Sequence, residues 1–155
     1  MMDQSEVISL ISTKLKLIRT EYDYTQDRMA EILGISKKTL VQIEKGRTNA
    51  AWTVCAATCA LFRESDVLSS ILGADPLEVL ETIAHERIDS PKDKTLGGKV
   101  WWKELKNEGS FRLQQNVISQ HYRILDELDF RWYSSFEKKD ALLKLKEFSR
   151  QKKGE

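Results

Sequence analysis

The sequence predicts an α+β chain, with an all-helical N-terminal part followed by a small antiparallel β-sheet and a C-terminal helix. Three observations carry that expectation. Apolar residues recur at the 3/4 spacing of packed helices from Leu15 to Ile83. A polar stretch with Pro91 and the Gly97-Gly98 pair then interrupts the pattern, as a linker would. Beyond it, aromatic residues alternate with polar ones between turn signals, which marks strands. The expected divisions are residues 1–88, a linker at 89–99, and residues 100–155.

The local signals are densest between Thr25 and Arg47. Thr25 and Ser36 each precede a helical apolar pattern and suit an N-cap, whose hydroxyl accepts from an orphan backbone N–H. Tyr24 with Met29, and Ile35 with Leu40, are spaced as hydrophobic staples. The full capping box is missing, because Arg28 and Thr39 stand where Glu or Gln would close it. Gly34 sits where the first short helix must stop and reverse in a left-handed conformation. Met29, Ile32 and Leu33 form one apolar stripe, Leu40 and Ile43 another, and Ala30 is small where the two helices cross. Two short helices joined by a tight turn are expected at 25–47.

Further helices follow. Trp52 to Phe62 is rich in small residues, and Ser65 to Leu72 is bounded by a capping serine and by Gly73. Asp75-Pro76-Leu77-Glu78 opens another helix with an N-cap, a first-position proline and an acid, and Leu77, Val79, Leu80 and Ile83 give it an apolar face. That helix either completes the N-terminal domain or supplies a dimer contact.

In the second half, residues 100–105 and 111–115 flank a turn at 107–110, and residues 121–125 and 130–134 flank a turn at 126–129. Two hairpins are expected, with a long helix over 118–133 as the competing reading. A final helix from about Phe136, with Ala141, Leu142, Leu145 and Phe148 on one face, covers the sheet. Trp101, Trp102, Tyr122, Phe130, Trp132 and Tyr133 are expected chiefly as core; the alternatives are a ligand pocket, an interface, or interleaving with Arg112, Arg123 and Arg131 on nucleic acid. The basic tail from Lys144 to Lys153 reads as a solvated helix end or a phosphate contact.

What the short helices leave exposed points to a partner. From Lys37 to Arg47 four cations (Lys37, Lys38, Lys45, Arg47) face one acid, Glu44. Such residues on an isolated helix form an ordinary solvated face. At the start of the second helix of a helix-turn-helix, they meet base edges in a major groove instead. Lysine donates to guanine O6 and N7, and glutamine pairs with adenine. Lys37, Lys38, Thr39 and Gln42 are therefore candidate readers of double-stranded DNA. Gln26, at the first helix's positive end, is placed for a backbone phosphate.

The stretch from Lys14 to about Phe62 resembles the Xre/Cro/lambda-repressor-like helix-turn-helix family. Leu15, Ile18 and Arg19 match its first helix, Thr25-Gln26 the start of its second, Gly34-Ile35-Ser36 its turn, and Leu40, Ile43, Glu44 and Gly46 its recognition helix and exit. The resemblance implies a five-helix DNA-binding module of a transcriptional regulator that binds operators as a homodimer. It places Lys37, Lys38 and Gln42 at base-reading positions, Thr39 as an intermediate case, and Gln26, Lys45 and Arg47 at phosphate or flanking contacts. One departure is Thr48-Asn49-Ala50-Ala51-Trp52, where the family often carries a proline before helix four. An antitoxin-type autorepressor, whose C-terminal half binds a partner protein, is the alternative function.

Composition limits other readings. A chain of 155 residues, 41% hydrophobic and 32% charged, fits a globular cytoplasmic protein of one domain or two small ones. No apolar run approaches the ~18–20 residues of a membrane span, and the N-terminus lacks a basic-then-apolar signal pattern. Net charge is only +1, so nucleic-acid binding must come from local patches. Cys55 and Cys59 lie one helical turn apart, but a zinc site needs about four ligands and His85 and His121 are isolated. The two thiols read as small core residues, with redox sensing as the alternative. No catalytic constellation, metal site or cofactor motif is expected. A small-molecule or protein partner through residues 100–155 stays open.

Overall fold

Helix α1 (Gln4–Glu21) starts where Asp3 accepts a hydrogen bond from the Glu6 N–H at 2.9 Å. Its stripe of Val7, Ile11, Leu15 and Ile18 is fully buried. Each such side chain contributes roughly 1.5–3 kcal/mol by leaving water. The computed structural model describes residues 2–73, 75–86 and 101–153, and the chain divides into two compact units, 1–90 and 91–155. The linker expected at 89–99 lies outside the described residues.

In the first unit α1 packs against α3 (Lys37–Glu44), α4 (Trp52–Leu61) and α5 (Asp66–Leu72), while α2 (Gln26–Leu33) lies on α3 and α4. Helix α6 (Pro76–His85) packs on α4 and α5 with Leu80 in the same core, so it completes this unit. Glu21, at the end of α1, caps α5 through a bond from the Asp66 N–H (2.7 Å) and a second from the Ser65 hydroxyl (2.5 Å). The segment without a family proline also has a tertiary anchor. Ala51 gives α4 no side-chain cap, but the buried N–H of Ala50 donates to the buried Ser12 hydroxyl at 2.8 Å.

The second unit is a meander in the order β1 (Trp102–Glu108), β2 (Phe111–Asn116), β3 (Tyr122–Leu125), β4 (Arg131–Ser135), all antiparallel. Helix α7 (Lys138–Lys153) crosses all four strands. Hairpins, not a helix, therefore occupy 118–133. Phe111, Leu113, Ile124, Ala141 and Leu145 are the core. Ladder irregularities leave Leu105 and Trp132 as extra residues in β1 and β4.

The aromatic residues depart from expectation. Trp101, Phe130 and Trp132 are 56%, 66% and 56% exposed, so they are not core. One helix covers one face of a four-stranded sheet, and Trp101 and Phe130 stand at strand ends beyond it. Tyr122 and Tyr133 pack at the core margin. Trp102 shares the opposite face with Gln114 and Arg123, as the register requires, and the Arg123 guanidinium stacks 3.6 Å from its ring centroid. Arg123 also donates to the buried Gln114 side chain at 2.9 Å. Asp126 holds the last turn, accepting from the Leu128 and Phe130 N–H groups and from Trp132 Nε1. Those donors, the Trp132 indole foremost, hold its carboxyl below the ordinary value.

Candidate nucleic-acid interface

The turn that presents α3 is built from local chemistry. Thr25 Oγ1 accepts from the Arg28 N–H at 3.1 Å and Ser36 Oγ from the Thr39 N–H at 3.0 Å, so both expected caps form. Gly34 adopts φ +71°, and the Ile35 N–H closes back on the Ala30 carbonyl at 3.0 Å. The exit of α3 repeats this geometry. Gly46 has φ +73°, while the Gly46 and Arg47 N–H groups bond the Ile43 and Gln42 carbonyls.

Burial of Leu40 and Ile43 sets the rotation of α3. At 100° per residue, Lys38, Gln42 and Lys45 then share the side directed away from the core. Lys38 and Lys45 are exposed and Gln42 is half-buried, and among the described residues no side-chain bond engages any of the three. Arg47 is exposed just past the helix and has no partner among the described residues, and Gln26 is the half-buried first residue of α2.

Lys37 and Thr39 stand apart from this row. Lys37 Nζ bonds Asp27 of α2 at 3.1 Å, an exposed pair across the turn. The Thr39 hydroxyl shares a 2.9 Å bond with the capping Ser36. Sequence reasoning passed over Asp27. Its signal was available, because an acid in the first turn of α2 favours that helix's dipole while lying beside the next helix's start.

Beneath the row, Arg19 and Glu44 lock α3 to α1. Arg19 Nε lies 3.1 Å from both Glu44 oxygens, Nη2 reaches Oε1 at 2.8 Å, and Nη1 donates to the Tyr24 carbonyl at 2.9 Å. Glu44, the one acid of the α3 segment, is thus turned inward and leaves the outer side cationic.

The thiols take no part. Cys55 and Cys59 are fully buried and free, and desolvation pushes them up to about 11 and about 12. Among the described residues no group of His, Cys, Asp and Glu could hold a metal ion, and no helix is long and apolar enough to cross a membrane.

A short helix held across a second one by a capped, tight turn is the build of a helix-turn-helix. Comparison with protein families agrees: residues 15–51 match the helix-turn-helix model of the Cro/C1 type, the Xre/lambda-repressor-like class that the residues resemble. That segment belongs to a DNA-binding domain of transcription regulators. Searches of curated proteins and of solved structures returned no match.

Proposed function

We propose that this protein is a sequence-specific transcriptional regulator that binds operator DNA as a homodimer in the cytoplasm. Two copies of α3 enter successive major grooves about one helical turn apart. Lys37, Lys38, Thr39 and Gln42 meet base edges, with Lys38 and Gln42 the principal readers. Gln26, Lys45 and Arg47 hold phosphates. Binding there occludes a promoter or stabilises polymerase on it, and the protein carries out no catalysis. The observation that carries the reading is the unpartnered Lys38–Gln42–Lys45 row within the matched helix-turn-helix.

The test is selection of bound fragments from a fragmented bacterial genome at moderate salt. Wild type is compared with Lys37→Ala/Lys38→Ala/Gln42→Ala. A two-fold-related motif enriched by the wild type alone supports the reading; equal enrichment by both proteins overturns it. The exposed Leu128, Phe130, Trp132 and Phe136 of the second unit favour one second reading, an antitoxin-type autorepressor with a protein partner there. A small protein that copurifies with the full chain, and is lost on Trp132→Ala, distinguishes that case.

A further inference from the structure

The cations of this chain are unevenly placed. Net charge is +1 over 155 residues, yet the sixteen residues of α7 carry seven cations against two acids, Asp140 and Glu147. Glu147 is paired with Lys144 at 3.0 Å, and Lys152 Nζ bonds the Ser110 hydroxyl at 2.8 Å. Lys146, Arg150 and Lys153 have no partner among the described residues. At 100° per residue they form one row, on the side of α7 away from the buried Ala141 and Leu145.

The row ends against the β1–β2 turn. A cleft of about 280 Å³ is lined there by Glu108, Gly109, Lys146, Ser149, Arg150 and Lys153. Gly109 has φ +60°, and Ser149 Oγ lies 3.4 Å from where a Cβ on Gly109 would stand, so a hydroxyl donor sits among the cations. The lining's one acid, Glu108, has its own cation in Lys106 at 3.3 Å. A cation near a helix C-terminus is stabilised by the dipole, an effect confined to the last turn. That explains the last turn, but not Lys146 two turns earlier, nor a face left without acids.

We infer that Lys146, Arg150 and Lys153, with the Ser149 hydroxyl, form a second DNA contact that binds the phosphate backbone of duplex DNA. The spacing suits the polymer: Lys146 to Lys153 covers about 10.5 Å of helix axis, and one DNA strand presents a phosphate about every 3.4 Å. The contact carries no base information, so it adds affinity and salt dependence without changing the sequence preferred. The choice of DNA over another polyanion rests on the function proposed for α3.

The experiment measures affinity of the full chain for a mixed-sequence duplex about four helical turns long across a salt series. Wild type is compared with Lys146→Gln/Arg150→Gln/Lys153→Gln and with an α3 variant, Lys45→Gln/Arg47→Gln, that removes the phosphate anchors proposed there. Glutamine keeps helix propensity, so α7 should persist by circular dichroism. The α7 variant should lower the log affinity–log salt slope by about 2.7, from roughly 0.9 per lost contact. Lys146→Arg/Lys153→Arg should keep the wild-type slope. An unchanged slope in the α7 variant, with a reduced one in the α3 variant, overturns this contact and leaves the α3 reading standing. A reduced slope in the α7 variant alone does the reverse. Binding of wild type to double-stranded RNA but not to the DNA duplex would overturn the inference as well.

Discussion

The Arg19 guanidinium holds both Glu44 carboxylate oxygens and the Tyr24 carbonyl, so one side chain of α1 fixes the end of α3 and the start of the chain into α2. The pair is mostly shielded, with Arg19 13% and Glu44 4% exposed. Removing one partner strands the other charge, at a cost of about 3–5 kcal/mol. Glu44→Ala should therefore lower the urea midpoint sharply, whereas Arg19→Met/Glu44→Met should recover much of the loss. A double variant no more stable than Glu44→Ala would show that the pair is not energetically coupled.

Asp27 holds Lys37 at 3.1 Å beside the α3 surface proposed to meet DNA. Exposed pairs are worth at most about 1 kcal/mol, so DNA can displace Asp27 at small cost. Asp27→Asn removes that competition and one negative charge beside the phosphates. Affinity for duplex DNA should rise roughly two- to five-fold, the equivalent of about 0.4–1 kcal/mol, and the gain should shrink in high salt. Weaker binding by the variant would mean that the pair orients Lys37 productively.

Gln42 and Arg47 should separate by the kind of loss they cause. Gln42→Ala is expected to cost about 1–3 kcal/mol at one base position and relax preference there. Arg47→Ala should weaken binding to all sequences about equally and reduce the salt slope by about 1. Affinities on a set of single-base operator variants provide the check. Parallel losses on every DNA would overturn the division into readers and anchors.

The buried thiols make a pH prediction. Both cysteines ionise far above the ordinary value of 9.0, at about 11 and about 12, so the folded state favours the neutral thiols. Their contribution to stability is present in full below pH 9 and is lost as pH rises through 11 to 12. Folded protein at pH 8 should react with a thiol-specific disulfide reagent only as fast as it unfolds. Rapid labelling of native protein would restore the redox-sensing alternative.

The local devices of the helix-turn-helix were legible residue by residue. Thr25, Ser36, Ser65 and Asp75 cap the helices they were expected to cap. Gly34 and Gly73 stop theirs in the left-handed conformation. The strand pairs on either side of Gly109 and of the Asp126–Asp129 turn were legible for the same reason. Caps, turns and periodic stripes are settled within about four residues, and a sequence displays those separations directly.

Other features depended on which distant segments meet. Arg19 and Glu44 are 25 residues apart, and Ser12 lies 38 residues from the Ala50 N–H that it satisfies. Strand alternation placed the aromatic residues on strands, but did not say that a single helix would cover only one face of the sheet. Nor did it reveal the extra residue at Trp132, which shifts the β4 pairing. The sequence by itself determined the elements and the chemistry of the α3 surface. Only the tertiary structure decided that Glu44 turns inward, that Asp27 reaches Lys37 and that Trp132 stays outside the core, because burial and charge pairing depend on through-space neighbours.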